Sequence, residues 1–162
     1  WTGLIMVLIQ FLVVILRYVF SIGWIPLQES ILYMHGILFL LGAGFTLKAD
    51  GHVRVDIFYR EASPRKKASI DMFGVLGLLL PVCLAIWWYG LSLVTNSWVI
   101  MEGSTEPLGL HLLFLMKSFV LVFATIVALQ GIALLIRSFF VLTGHLDTNM
   151  APVPDNERRE PI

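Results

Sequence analysis

The sequence predicts an all-α integral membrane protein, a four-helix assembly whose helices are joined by short loops. Three observations predict this fold class: an apolar composition, four long apolar stretches, and loop charges that differ between the two sides of a membrane. Of the 162 residues, 58% are hydrophobic and 14% are charged, and the mean hydropathy is +0.87. Soluble domains have roughly half apolar and about a quarter charged residues. This chain could not cover a water-facing surface with polar groups.

Four apolar stretches are long enough to span a bilayer. A hydrocarbon core of about 30 Å needs roughly 20 helical residues that rise about 1.5 Å each, so we expect one span in each stretch. Their apolar residues run continuously and do not alternate with polar ones, which excludes a membrane β-barrel. The predicted spans, which with their loops form a membrane domain of residues 1–144, are residues 3–20, 28–47, 68–93 and 112–142.

Each predicted span has a feature of its own. Leu4–Leu16 could be the core of a signal peptide, but no small-residue cleavage site follows it and three further apolar stretches do, so we interpret it as the first span. The second contains small residues at 42–44, where another helix backbone can approach closely. In the third, Pro81 removes a backbone donor and is expected to kink the helix. The fourth is long enough to tilt.

The charges of the loops predict the orientation. The loop after the second span is strongly basic, whereas residues 21–27 have no basic residue and residues 95–111 carry two acidic ones. Since basic loops stay in the cytoplasm, we expect that loop and both termini inside and residues 95–111 outside. Residues 145–162, with three prolines and mixed charge, are expected to form a cytoplasmic tail. The basic residues of the loop are Lys48, Arg54, Arg60, Arg65, Lys66 and Lys67.

Charged residues inside the spans form two layers. Arg17, Glu29 and Lys117 fall toward the outer leaflet, and Asp71 and Arg137 fall toward the inner one. Because an isolated charge in a bilayer is costly, opposite charges at matching depth predict ion pairs between helices. In the outer layer we expect Glu29 to pair with Arg17 or Lys117. A path for substrate or protons is the alternative, but such a path would normally place an acid near the midplane, where the sequence has none.

Cofactor, metal and nucleic-acid binding are not predicted. Cys83 is the only cysteine, and His35 is the only histidine well inside a span, so one copy offers neither a thiol cluster nor a pair of haem ligands. The 11 basic and 11 acidic residues balance, which gives no electrostatic attraction for nucleic acid. No nucleophile or phosphate-loop motif occurs, so we do not expect an enzyme.

The loop between the second and third spans mixes apolar and charged residues. Val53, Val55 and Ile57 are interleaved with charged positions. We therefore expect a short interfacial segment on the cytoplasmic membrane surface, with its basic groups near lipid phosphates. His52 and Asp56, four residues apart, could meet on one helical turn. A solvated run of charges is the alternative.

The end of the second span and the loop after it resemble a known family. Residues 42–56 combine a small-residue cluster, a basic residue and the segment Gly-His-Val-Arg-Val-Asp. This pattern is similar to the small, Q-type membrane subunit of tripartite ATP-independent periplasmic (TRAP) transporters. Glu29, the Arg17 and Phe20 pattern, and residues 102–110 resemble it as well. The residues that we single out as structural or interface candidates are Arg17, Glu29, Lys117, Asp71, Arg137, Gly51, His52, Arg54 and Asp56.

The resemblance implies a scaffold without catalytic activity in the bacterial inner membrane. Such a subunit braces a large membrane subunit, which binds the substrate and Na⁺, and helps a periplasmic binding protein to dock. The substrate is typically an organic acid, and this chain itself needs no cofactor; membrane lipids are its other partner.

Two alternatives stay open at this point. The membrane anchor of a quinone-linked oxidoreductase would show haem absorbance or bound quinone. The small subunit of a tripartite tricarboxylate transporter shares the topology but should lack the motif at Gly51–Asp56.

Overall fold

The described residues form helices, and no β-strand occurs among them. The computed structural model describes residues 1–49, 51 and 62–144. The helices are α1 (Thr2–Tyr18), α2 (Ile25–Lys48), α3 (Pro64–Gly74), α4 (Leu80–Val99) and α5 (Leu113–Leu142), with a π-helical turn at Val75–Leu79 between α3 and α4. The turn makes α3 and α4 one continuous helix. The predicted all-α class and four-helix assembly are confirmed.

Three helices have the length and composition of membrane spans. They are α2 with 24 residues, Arg65–Val99 with 35 and α5 with 30. The first helix, α1, is apolar but has 17 residues. It therefore rises about 25 Å, at the lower limit for a bilayer core. A crossing by α1, and with it the fourth span, stays a prediction.

The third helix begins earlier than the apolar stretch predicts. It starts at Pro64 instead of residue 68, because a proline at the first helical position has no hydrogen bond to lose and a φ that already suits a helix. The basic residues 65–67 thus belong to the helix. The proposed interfacial segment lies mostly in residues 50 and 52–61 and the tail in residues 145–162, outside the described residues.

Pro81 lies inside the continuous third helix, just after the π-helical turn. The N–H of Leu80 donates to the carbonyl of Val75, five residues back, which widens the helix at this point. A proline ring in a regular helix clashes with the carbonyl four residues before it, here that of Gly77. The wider turn contains that carbonyl. The irregularity expected from the proline is therefore a π-helical turn that ends two residues before it.

The chain divides into two compact units. The first contains Trp1–Ala43 and Ala85–Ala124, and the second contains the described residues of Gly44–Leu84 and of Thr125–Ile162. In the first unit, Gly36 of α2 faces Met116 of α5, and a Cβ on this glycine would overlap the methionine side chain. The glycine therefore allows the two helices to pack closely at this point.

The second unit uses glycines in the same way. Gly44 of α2 lies against the side chain of Ile126 of α5, and a Cβ at position 44 would overlap it. Gly131 of α5 faces the π-helical turn, where its Cβ would lie 2.5 Å from the Leu79 side chain. Close backbone approach at small residues is the usual basis of helix packing in membranes.

Candidate functional site

The loop of residues 100–112, between α4 and α5, is held to α2 by one carboxylate. Glu29 lies near the start of α2. One of its oxygens, Oε2, accepts a hydrogen bond from the backbone N–H of Leu110 at 2.5 Å, and the other accepts one from the hydroxyl of Ser104. Hydrogen bonds to an ionised acceptor are roughly twice as strong as neutral ones. Both oxygens of Glu29 therefore bind the same loop.

Residues 104–110 form a closed substructure within this loop. The N–H of Ser104 donates to the carbonyl of Leu110 at 3.1 Å, which joins the two ends. The hydroxyl of Ser104 also accepts from the N–H of Glu106 at 3.1 Å. Gly109 leaves room for this arrangement, because a Cβ there would lie 2.5 Å from the Ser104 hydroxyl and 2.8 Å from Glu29 Oε1. Any side chain at position 109 would displace the carboxylate.

The tip of the loop is a tight turn of residues 106–109 with a leucine in an unusual conformation. The N–H of Gly109 donates to the carbonyl of Glu106 at 3.0 Å. Pro107 occupies the second position, and Leu108 has a φ of 69° at the third. This is the pattern of a type II turn, which normally has glycine third. The left-handed conformation costs an L-residue roughly 1–2 kcal/mol, yet the Leu108 side chain is 85% exposed.

A second carboxylate fixes the other end of the loop. Glu102 accepts hydrogen bonds from the Ser97 hydroxyl of α4 at 2.5 Å and from the ammonium of Lys117 in α5. The hydrogen bond from Lys117, and then that from Ser97, hold the pKa of the Glu102 carboxyl below its usual range. The N–H of Phe114 also donates to the Glu102 carbonyl at 3.3 Å. Glu102 thus connects α4 to α5.

Aromatic packing supports the same junction. The indole N–H of Trp98 donates to the Ser118 hydroxyl at 2.9 Å. The Trp98 ring meets the Phe114 ring edge to face, with 4.7 Å between centroids. Such aromatic pairs add about 0.5–1.5 kcal/mol beyond their buried area. Residues 97–118 are therefore held by polar and apolar contacts together.

A comparison with protein-family models matches the chain to the DctQ component of tripartite ATP-independent periplasmic transporters, over residues 6–141. The chain belongs to this family. The match runs from within α1 to the next-to-last residue of α5, so it includes all the contacts described above. No curated protein and no solved structure matched in the two other comparisons. Membership in DctQ, a family of transporter components, favours the TRAP interpretation over the oxidoreductase anchor and the tricarboxylate transporter.

In this DctQ family member, the predicted partners of Glu29 were wrong. Lys117 forms its ion pair with Glu102, and Arg17 is exposed at the end of α1 without an ion pair among the described residues. The register explains the difference. Because Gly36 faces Met116, Lys117 lies level with residue 37 of α2, about 12 Å along the helix from Glu29. The charges of the spans alone did not reveal these contacts, because the loop of residues 100–112 supplies both the groups that bond to Glu29 and the carboxylate that pairs with Lys117.

The predicted inner pair is not present either. Asp71 does interact with another group, but Arg137 is exposed and forms no ion pair within residues 1–49, 51 and 62–144. Gly51 donates its N–H to the carbonyl of Thr46 at 2.9 Å, which closes the turn after α2. The other loop candidates, His52, Arg54 and Asp56, lie outside the described residues.

His35 is exposed on α2 and its ring is 6.0 Å from that of Phe39, centroid to centroid. Within the described part of the chain, no three His, Cys, Asp or Glu side chains are grouped so as to hold a metal ion. What the described contacts build is a fixed surface loop at one end of three helices.

Proposed function

We propose that this chain is the scaffold subunit of a Na⁺-coupled, binding-protein-dependent transporter of organic acids in the bacterial inner membrane. It braces the large transport subunit and offers residues 100–112 as part of the surface on which the periplasmic binding protein docks. Substrate and Na⁺ bind to the other subunits. Membership in the DctQ family supports the role as a small TRAP subunit.

The observation that carries the docking role is the double attachment of the loop. Glu29 ties it to α2, and Glu102 ties α4 to Lys117 of α5. A surface that is ordered before its partner arrives loses less conformational entropy on binding. A loop fixed to three helices can also keep its shape while another subunit moves in the membrane.

The bracing role is supported by how little of each helix is buried within the chain. In the most apolar 18-residue windows of α2, of Arg65–Val99 and of α5, the buried share is 6%, 11% and 17%. The rest of each helix is available to lipid or to another subunit. A spanning chain with so little internal burial is suited to line the side of a larger membrane protein.

The charges at the helix ends support the proposed orientation. Lys48 ends α2, and Arg65, Lys66 and Lys67 lie in the first turn of α3. With these residues in the cytoplasm, as the distribution of basic residues favours, α4 and α5 meet at the periplasmic side. Residues 100–112 then face the compartment of the binding protein.

Reconstitution tests the proposed function. We expect no uptake of an organic acid by proteoliposomes that hold this chain alone. Uptake should appear when the large subunit, the binding protein and an inward Na⁺ gradient are added. Full uptake by the large subunit and binding protein without this chain would contradict the scaffold role, and so would uptake by the chain alone.

A further inference from the structure

The turn of residues 106–109 presents an exposed leucine, Leu108, that contributes little to packing within the chain. The Leu108 side chain is 85% exposed although its backbone, at a φ of 69°, adopts a conformation that favours glycine. Backbone conformations of this kind persist only where the surrounding structure enforces them, and they are concentrated at functional sites. Here the surroundings are the bonds of Ser104, Gly109 and Glu29. They hold the side chain of Leu108 outward.

The turn lies beyond the start of α5, at the end of the helices where we expect the membrane surface. Leu110 bonds to Glu29, and Met116 faces Gly36, so α2 and this part of the chain run side by side in the same direction. Glu29 therefore lies about 10 Å before Gly36 along α2 and beyond the start of α5 at Leu113. The turn lies between Ser104 and Leu110, which both bond to Glu29, so we expect it at the polar boundary of the membrane.

Charge identifies the kind of surface that could cover the leucine. Glu106 is exposed, and its carboxylate has no hydrogen bond or ion pair among the described residues. The neighbouring acids differ, because Glu29 is bound by the loop and Glu102 by Lys117. The turn thus presents one apolar side chain beside one free negative charge. Its complement is an apolar hollow with Lys or Arg at the rim.

We propose that Leu108 and Glu106 form a contact of this chain with the soluble periplasmic binding protein of its transporter, Leu108 filling an apolar hollow and Glu106 meeting a basic rim. This inference rests on the proposed function. A second copy of the chain would bring an identical acidic turn against the first, and like charges repel. Anionic lipid headgroups would repel Glu106 in the same way. A soluble protein with a basic rim fits both the charge and the position.

The test uses the complete complex in nanodiscs and the purified binding protein. Leu108→Gly removes the side chain and suits the left-handed backbone, so the loop should keep its fold. We expect the Kd for the binding protein to rise about tenfold, as for a central interface residue. Leu108→Asn, which also tolerates this conformation, should behave like the glycine variant. Val99→Ala removes exposed apolar surface at the end of α4 and should leave the Kd unchanged.

Charge variants and uptake assays distinguish failure of the proposed contact from failure of the proposed function. Glu106→Lys should slow association of the binding protein at low salt by about tenfold, and added salt should remove the difference. In uptake assays with Leu108→Gly, the binding-protein concentration for half-maximal rate should rise while the maximal rate stays. Unchanged affinity in both variants, with normal uptake, would overturn the proposed contact and leave the scaffold role intact. A binding protein that binds the large subunit equally well without this chain would overturn both the contact and the docking role.

Discussion

At the scale of single residues, three carboxylates within one loop region have different surroundings. Glu29 receives two donors from the loop, Glu102 receives a hydroxyl and an ammonium, and the carboxylate of Glu106 meets no described group. The first two are structural because their loss would leave a backbone N–H or an ammonium without its acceptor. The third is free to act on a partner.

Replacing Glu29 by Ala should loosen the loop without unfolding the helices. The N–H of Leu110 and the hydroxyl of Ser104 would lose their acceptor, and a hydrogen bond to a charged group contributes about 1.5–3 kcal/mol. Amide exchange at Leu110 should therefore accelerate by about tenfold to a hundredfold. Glu29→Gln keeps one acceptor oxygen and should show a smaller effect.

Glu106→Gln is the matched control for that experiment. Like Glu29→Gln, it replaces a carboxylate by an amide. Glu106 is four residues before Leu110, and its carboxylate has no hydrogen bond among the described residues. Exchange at Leu110 should stay at the wild-type rate. Equal acceleration in the two Gln variants would mean that loop charge in general, and not the bonds of Glu29, orders this segment.

Acidification should release the junction at Glu102. Its pKa is depressed, chiefly by the hydrogen bond from Lys117, so the stabilisation is complete above the ordinary pKa of 4.5 and is lost as the pH falls through the lower folded value. Exchange of the Phe114 amide, corrected for its intrinsic pH dependence, should be slow at neutral pH and increase only below pH 4.5. Glu102→Gln should remove this transition. An unchanged transition in that variant would assign it to another group.

At the scale of elements, α2 and α5 depend on glycines at specific positions. Gly42 and Gly44 are two residues apart on α2, but a Cβ at Gly42 would meet nothing within 4 Å, whereas one at Gly44 would overlap Ile126. The side chain of Ile126 is branched at Cβ and has few alternative rotamers in a helix. A substitution by alanine should therefore destabilise the packing at Gly44 and have little effect at Gly42.

Gly44→Ala should destabilise the second unit, and Gly42→Ala should not. Overpacking of this kind costs about 1–3 kcal/mol, which for a chain of this size lowers Tm by roughly 2–10 °C. Thermal unfolding in detergent, followed by circular dichroism, measures both variants. Combining Gly44→Ala with Ile126→Ala, which removes the branched side chain, should restore part of the lost stability. Combining it with Ile126→Val would keep the branch at Cβ and should restore less. Equal Tm values for the two glycine variants would contradict the close approach.

The elements could be predicted from the sequence where apolar residues run continuously. The ends of α2 and α5 fall within three residues of the predicted spans, since lipid-facing helices require that composition. The contacts of the loop could not be predicted, because Glu29 bonds to residues 75 and 81 positions away. The π-helical turn was also missed. Pro81 indicated an irregularity, but a single proline does not determine which hydrogen bonds shift.

At the scale of the whole molecule, the number of membrane crossings depends on α1, and we predict that it completes four. If α1 crosses, α1 and α2 together cross twice. The residue before α1 then lies on the same side as the basic end of α2 and the basic start of α3. With 17 residues, α1 spans about 25 Å of a core of about 30 Å. A mismatch of this size is tolerated when the bilayer thins or when another helix covers the short one.

Cysteine labelling decides the crossing. In a Cys83→Ala background, Thr2→Cys and Gly23→Cys place one thiol at each end of α1, and a Cβ at Gly23 would meet nothing within 4 Å. We expect a membrane-impermeant maleimide added to intact spheroplasts to label position 23 and not position 2. Position 2 should become reactive in inverted vesicles. Lys66→Cys, near the start of α3, is the cytoplasmic control and should react like position 2. Labelling of positions 2 and 23 from the same side would make α1 a surface or re-entrant helix, because 17 residues cannot cross the core and return.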